Sequence, residues 1–218
     1  FRQGITWTAT TNNMFSARIL PDSGLFDIKG PALFVDDDLE YYLGILNSVA
    51  IYYILKLLKS GSDYQNIEIK NLPMVNFDEN TKRIIKNLAC EAISISKQDW
   101  ETSEASLEYD TTLYIPDNTN NQLESIFDKM KKKQKIRFNR LKSIEEEINY
   151  YTINAYGLED EVSPLVEEKY ISINLFDDEE MVKNFLSYAV GCIFGRYSVG
   201  ERGVAFAGGR FNSDKYSS

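Results

Sequence analysis

A regular apolar repeat in the second half of the chain places the strongest limit on its fold. Between Leu123 and Tyr151, seam residues recur at alternating spacings of four and three. This period keeps one stripe of side chains on a single face of a helix and is typical of a coiled-coil seam. The seam residues are Leu123, Phe127, Met130, Gln134, Arg137, Leu141, Ile144, Ile148 and Tyr151.

The sequence also predicts where this helix begins and ends. Thr119 and Gln122 have the spacing of a capping box, and Gly157 is typical of the position just beyond a helix. Such a helix would span about 50 Å at 1.5 Å per residue. We expect it to act as a spacer, with polar Gln134 and Arg137 in the middle of its seam.

The first 77 residues have a different pattern, with short apolar segments separated by turn residues. A helix is predicted to open at Asp36 to Asp38 and to end before Gly61, and a further strand is predicted at 67–73. Three strands are predicted before that helix, at residues 5–8, 15–19 and 32–35.

After Asp78 the pattern becomes helical, with an amphipathic helix around 84–95 and a last helix over 178–194. Residues 99–118 are acidic and polar and are predicted to form a surface loop, while the tail after Gly195 is glycine-rich and irregular. We therefore predict an α+β fold, in which a small mixed β-sheet with helices is followed by the long helix and a C-terminal helical part. The predicted segments are 1–77, 78–118, 119–157 and 158–218.

Composition excludes several kinds of chemistry. The chain contains no histidine, which removes serine–histidine and cysteine–histidine catalysis and nearly all zinc sites, and we expect no metal site. Cys90 and Cys192 occur in apolar helical patterns, so we expect buried free thiols in a reducing cytoplasm. No apolar run reaches the roughly 18 residues of a membrane span. The first residue is Phe1, and we expect the chain to be a piece of a longer protein.

Five segments, in order along the chain, resemble one family of proteins. They are YLGILNS at 42–48, NIEIKNLP at 66–73, SKQDWE at 96–101, AYGLEDE at 155–161 and LSYAVGCIFGRYS at 186–198. Together they resemble the C-terminal, target-recognition region of the PglX-like adenine-specific DNA methyltransferases of BREX phage-defence systems. The first two also resemble recognition domains of single-chain restriction–modification enzymes.

The resemblance implies a parent enzyme that transfers a methyl group from S-adenosylmethionine to N6 of adenine in a specific DNA site. The catalytic motif of that family contains two adjacent prolines, whereas the five prolines of this chain are isolated. We therefore expect no catalytic residue and no cofactor in this fragment, S-adenosylmethionine in the parent, and a methyltransferase domain upstream of Phe1. Double-stranded DNA is the expected partner, and other BREX proteins are further candidates.

Eight basic residues and no acidic one lie between Lys129 and Lys142, although the chain has a net charge of −9. Three interpretations are open: a solvated face that balances acidic neighbours, contact with DNA backbone phosphates, or anchoring of a partner protein. The candidate phosphate contacts are Lys129, Lys133, Arg137 and Arg140.

Two predicted loops are rich in hydrogen-bonding side chains. The first, 8–18, is placed on a hairpin loop, where asparagine and arginine side chains could pair with adenine and guanine in the major groove. Adjacent asparagines are also common in turns without any function. The second loop is 59–65. Candidate DNA contacts are Thr8, Thr10, Asn12, Asn13 and Arg18 from the first loop and Lys59, Tyr64 and Gln65 from the second.

Two other functions are compatible with the sequence. Asp22, followed by Asp27-Ile28-Lys29 or Glu68-Ile69-Lys70, has the pattern of a Mg²⁺-dependent PD-(D/E)xK nuclease, a short pattern that arises easily by chance in an acidic chain. The long helix could instead make the chain a protein–protein docking module for other BREX components.

Overall fold

The three strands near the N terminus and the helices that follow are all present in a computed structural model, which describes residues 2–59, 61, 63–115, 123–173 and 175–216. The predicted α+β class is confirmed. The described elements are β1 (Gly4–Trp7), β2 (Ala17–Leu20), β3 (Ala32–Leu33), α1 (Leu39–Leu46), α2 (Val49–Leu58), α3 (Asn66–Lys70), α4 (Glu79–Trp100), α5 (Leu123–Tyr156) and α6 (Asp178–Ile193).

β1 is the central strand of a sheet with the order β2-β1-β3. Ile5 lies opposite Ile19 on one side and Leu33 on the other, and Ile5 and Trp7 are buried in the core. Both pairs are antiparallel, whereas we predicted a mixed sheet. The loop at 8–16 is too short for the crossover that a parallel pair of consecutive strands requires.

The single helix predicted to open at Asp36 is in fact two helices, α1 and α2, separated by a bend of 67°. Ser48 begins α2, and its hydroxyl accepts a hydrogen bond from the Ile51 N–H at 3.4 Å. The side chain of Asn47 binds β2 instead, accepting from the Ala17 N–H at 2.8 Å and donating to the Ala17 carbonyl at 3.0 Å. No single described helix is long and apolar enough to cross a membrane, although α1 and α2 pass that test together as a bent pair.

The strand predicted at 67–73 is wrong, because residues Asn66–Lys70 form the short helix α3. Gln65 and Glu68 form its capping box, in which the Glu68 carboxylate accepts from the Gln65 N–H at 2.9 Å. The sequence Ile67-Glu68-Ile69 alternates apolar and polar residues as a strand does. In the helix, however, Ile69 is buried and Ile67 is exposed.

Close packing of α1 against α4 depends on Gly44. A Cβ atom at this position would lie 3.1 Å from the Ala89 Cβ and 3.3 Å from the Ile85 Cγ2, which is tighter than ordinary contact.

α4 itself is capped by Asp78, whose carboxylate accepts from the Thr81 N–H at 3.1 Å and from the Thr81 hydroxyl at 2.7 Å. The helix predicted after Asp78 is therefore confirmed.

The contacts within the chain divide it into two compact units that interleave along the sequence. Unit 1 consists of Phe1–Ala92 and Lys142–Glu168, and unit 2 consists of Ile93–Leu141 and Lys169–Ser218. α4 and α5 each contribute to both units. This grouping differs from the linear segments 1–77, 78–118, 119–157 and 158–218, which stay a prediction.

The seam predicted along α5 is the side of the helix that packs into the protein. Ile144 and Ile148 are buried in unit 1, and Phe127 and Gln134 are buried in unit 2. The seam residues thus fill the cores of the protein itself, and the predicted coiled coil stays a prediction.

The predicted end of α5 is confirmed by Gly157, which has a φ of 65°. The Leu158 N–H donates to the Ile153 carbonyl at 3.1 Å and the Gly157 N–H donates to the Asn154 carbonyl at 3.3 Å, as in a Schellman motif. The predicted capping box of Thr119 and Gln122 lies outside the described residues.

Unit 2 has an aromatic core to which the segment predicted as a surface loop contributes. Tyr109 and Tyr114 are buried, although residues 99–118 were predicted to lie on the surface, and 116–118 fall outside the described residues. The polar residues around these tyrosines concealed them, because the pattern has no helical or strand period. The core residues are Tyr109, Tyr114, Phe127, Met181, Tyr188 and Tyr197.

The tail after Gly195 is irregular, as predicted, but it is anchored. The Gly203 N–H donates to the Tyr109 carbonyl at 2.8 Å, and the Arg202 guanidinium lies 2.9 Å from the Asp110 carboxylate.

The prediction of two buried thiols is wrong for Cys90, which is exposed because it follows the buried face of α4 by one residue. Cys192 is half-buried, and both cysteines are free.

We expect Asn149→Ala to lower the free energy of unfolding by about 1–3 kcal/mol, because it leaves two partly buried backbone groups without their partner. The buried Asn149 side chain accepts from the Val49 N–H at 2.9 Å and donates to the Pro164 carbonyl at 3.1 Å. Asn154→Ala, on the exposed side of the same helix, is the matched control. Equal urea-denaturation midpoints for the two variants would contradict this account.

Candidate nucleic-acid interface

The described residues of the two loops singled out in the sequence, 8–18 and 59–65, lie side by side in unit 1, while residues 60 and 62 of the second loop lie outside the described residues. The indole N–H of Trp7 donates to the Tyr64 carbonyl at 2.8 Å, and the Tyr64 N–H donates to the Ala9 carbonyl at 2.7 Å. Thr10 and Asp63 form an antiparallel bridge. These bonds join segments more than fifty residues apart into one polar surface.

The Tyr64 ring contacts one residue of each loop, Phe15 and Lys59. Its side chain is only 1% exposed, and its ring meets the Phe15 ring edge-on with centroids 5.2 Å apart. The Lys59 ammonium lies 4.2 Å from the ring centroid, a cation–π distance. Burial raises the pKa of Tyr64. This arrangement leaves the Tyr64 ring in the core and makes it a positioning residue for its neighbours.

A third segment, around Lys29, joins the same surface. The Ala9 N–H donates to the Lys29 carbonyl at 3.0 Å, and the Lys29 ammonium donates to the Thr10 hydroxyl at 3.1 Å. The Asp27 carboxylate accepts from the N–H groups of Lys29 and Gly30, each at 2.8 Å, which fixes the turn. Sequence reasoning did not include Lys29 among the DNA contacts, because nothing in its local pattern shows that it reaches Thr10.

The remaining candidates in unit 1 are accessible. Asn12 and Asn13 lie in a turn in which the Asn13 N–H donates to the Thr11 hydroxyl at 3.1 Å, and both asparagine side chains are exposed. Arg18 lies on β2 opposite Thr6, with its side chain exposed. Lys59 is half-buried. The exposed candidates are Thr8, Thr10, Asn12, Asn13, Arg18 and Gln65.

The basic candidates on α5 belong to unit 2 and differ in their surroundings. Lys129, Lys133 and Arg140 are exposed, and Lys129 and Arg140 each have a partner within the protein. Lys131 pairs with Asp178 of α6. Part of the basic run therefore balances acidic neighbours within the protein.

Arg137 is the least accessible of these basic residues. Its side chain is 15% exposed and its guanidinium lies 3.8 Å from the Asp99 carboxylate. Burial raises the pKa of Asp99, and the charge of Arg137 opposes that effect. The Arg137 Nε is buried and makes no hydrogen bond with any described residue.

The carboxylates of the nuclease pattern serve local structure. Asp27 caps its own turn, and Glu68 accepts from the Gln65 N–H in the capping box of α3. Within the described ranges, no group of three or more aspartate, glutamate or cysteine residues could hold a metal ion. The structure thus gives these residues a role in turns and helix capping.

Known proteins provide the wider context. No protein-family model matches the chain. Its curated relatives include the adenine-specific methyltransferase PglX of Lacticaseibacillus casei (strain Zhang), which is 37% identical over an aligned stretch of 222 residues that covers 99% of this chain. The chain is homologous to a segment of such methyltransferases. The adenine-specific methyltransferase BrxX of Escherichia coli O9:H4 (strain HS) is 29% identical over an aligned stretch of 226 residues that covers 95% of the chain. The chain spans 18% of the length of each relative.

We expect Trp7→Phe to destabilise the chain by about 1–3 kcal/mol, because it leaves the buried Tyr64 carbonyl without its donor. Amide hydrogen exchange at 63–65 should also accelerate, since this bond holds the two loops together. Trp100→Phe is the matched control, because Trp100 is 56% exposed. Identical unfolding free energies and exchange rates for the two variants would show that the loops are held by other contacts.

Proposed function

We propose that the chain is the DNA target-recognition region of a PglX-like adenine-specific methyltransferase. The observation that carries this proposal is the joining of loops 8–18 and 59–65 into one polar surface in unit 1. A recognition surface needs exposed donors and acceptors on a backbone that is already ordered, because ordering a free loop on binding costs free energy. The homology to adenine-specific methyltransferases supports DNA as the ligand.

Base contacts are assigned to the exposed amide and hydroxyl side chains of this surface. The Asn12 and Asn13 side chains can each pair with the N6 and N7 of adenine in the major groove. Gln65 presents the same chemistry from the second loop, and Thr8 and Thr10 can accept or donate single bonds. Arg18 can pair with guanine.

Phosphate contacts are assigned to basic side chains, which position a duplex without reading its sequence. In unit 1 these are Lys29 and Lys59. In unit 2 the exposed Lys129, Lys133 and Arg140 of α5 have the same chemistry, and the less accessible Arg137 completes the assigned set. The net charge of −9 implies weak binding of this chain to DNA by itself, so further phosphate contacts would come from other parts of a full-length enzyme.

The chemistry of methyl transfer is assigned to other parts of a full-length enzyme. S-adenosylmethionine would be bound there, because this chain has neither the paired-proline motif nor a glycine-rich turn after its first strand. The role of this chain is then to choose the adenine that is methylated.

Docking of a partner protein is a second candidate function. The observation that favours it is a stripe of exposed apolar side chains on α6, formed by Val182, Leu186 and Val190 at intervals of four residues. A docking module and a recognition region differ in one measurable property, because only the second determines the methylated sequence.

We expect Asn12→Ala combined with Asn13→Ala to cost about 1–3 kcal/mol in binding to the cognate site and little on random DNA. In a full-length methyltransferase that carries this chain, methylation mapped by sequencing should fall or change motif. Asn76→Ala, an exposed asparagine outside both loops, is the control. Unchanged site preference and unchanged methylation in the double variant would place base recognition elsewhere.

The basic residues should behave differently in the same assay. Changing Lys129, Lys133 and Arg140 to glutamine should weaken binding to all sequences alike. The slope of log affinity against log salt should also flatten by about one unit per lost phosphate contact. A change of methylated motif in this variant would contradict the assignment of these basic residues to phosphate contacts that do not read the sequence.

A further inference from the structure

The basic face of α5 borders a cavity in unit 2. The cavity has a volume of about 290 Å³, at the small end of the range for ligand pockets, which is roughly 300–1,000 Å³. Its lining combines basic, polar uncharged and apolar side chains. The described residues that line it are Thr102, Asp110, Thr112, Leu113, Ile115, Ser125, Ile126, Lys129, Met130, Lys133, Gln134 and Arg137.

Three cationic side chains face this cavity from a single helix. Lys129, Lys133 and Arg137 are spaced by four residues, which places them on one face of α5 at successive steps of about 6 Å. Lys133 forms no ion pair within the part of the chain that the structure describes, and the buried Arg137 Nε donates to no described acceptor. Lys133 is thus available to bind an anion, and Arg137, whose guanidinium also lies 3.8 Å from the Asp99 carboxylate, offers its unused Nε–H.

Asp110, the acidic residue among the described lining residues, is already neutralised. The Arg202 guanidinium donates to its carboxylate at 2.9 Å, and the Thr112 hydroxyl donates to the same group. Burial acts to raise the pKa of Asp110, but these hydrogen bonds hold it below its usual range. The carboxylate therefore stays ionised and paired with Arg202, and the cavity wall formed by α5 remains positive.

Gln134 explains why the seam of α5 is interrupted at this point. Its side chain is only 2% exposed and lines the cavity, although its position in the repeat calls for an apolar residue. A polar residue in a seam lowers stability unless it serves another purpose. Its amide is a donor for an anionic oxygen, beside Arg137, the second polar residue of the seam.

We propose that this cavity binds the phosphate group of a small phosphorylated ligand of about mononucleotide size. Lys133, Arg137 and Gln134 hold the phosphate oxygens through charge-assisted and neutral hydrogen bonds. Leu113, Ile126 and Met130 contact the remainder of the ligand. The site goes beyond the proposed function, because it requires neither DNA binding nor methyl transfer.

Calorimetric titration of the 218-residue chain with inorganic phosphate, AMP and adenosine tests the proposal. AMP should bind with a stoichiometry of one and phosphate more weakly, whereas adenosine, which lacks the phosphate, should show no heat of binding. Lys133→Glu should weaken AMP binding at least about tenfold, because it replaces attraction by repulsion at the phosphate. Lys132→Glu changes the net charge equally at an exposed neighbour that does not line the cavity, and it should alter affinity less than about twofold.

Thermal unfolding of both variants verifies that each is folded, and a competition experiment with a short DNA duplex relates the cavity to the DNA contacts. The duplex should weaken AMP binding, because Lys133 and Arg137 are also assigned to DNA phosphates and cannot hold both ligands at once. AMP binding that a saturating duplex leaves unchanged would assign the cavity to the small ligand alone and contradict the DNA contacts of Lys133 and Arg137. Absence of binding by both AMP and phosphate at millimolar concentration, or equal losses in the two lysine variants, would overturn the proposal.

Discussion

The hydrogen bond from the Trp7 indole to the Tyr64 carbonyl is the constraint on which the candidate recognition surface depends. Trp7 belongs to the central strand β1 and is buried, so its position is fixed by the sheet. Through this bond and the pairing of Tyr64 with Ala9, the sheet fixes loop 59–65 against loop 8–18. Exposed side chains such as Asn12 and Gln65 are thereby presented by an ordered backbone.

Elements that carry their own local signals could be predicted from the sequence. α5 was predicted because its repeat is long and Gly157 marks its end, and the N-terminal strands because turn residues separate them. The break between α1 and α2 was not predicted, since the apolar period continues through it and Asn47 leaves the helix to bind Ala17 on a distant strand. Gln65 and Glu68 form the capping box of α3. The alternation of Ile67 and Ile69 with polar residues indicated a strand instead.

The candidate site was predictable in parts but not as a whole. Residue type pointed to Asn12 and Gln65 separately, and only the tertiary structure brings their loops together. The same cause explains why Lys29 was missed, because its contact with Thr10 spans nineteen residues, and why Tyr64 is placed in the core. On α5, the sequence showed a polar interruption at Gln134 and Arg137, while the cavity beside it became visible only in the fold.

The most direct test of the proposed recognition role is to exchange the homologous segments of two methyltransferases and map the methylated sequence. In the chimera, this chain would replace the homologous 222-residue segment of the Lacticaseibacillus casei methyltransferase PglX, and genomic DNA from cells expressing it would be sequenced for N6-methyladenine. If the chain selects the target, an active chimera will methylate a motif different from that of the recipient enzyme. An active chimera that methylates the recipient's original motif would contradict the account.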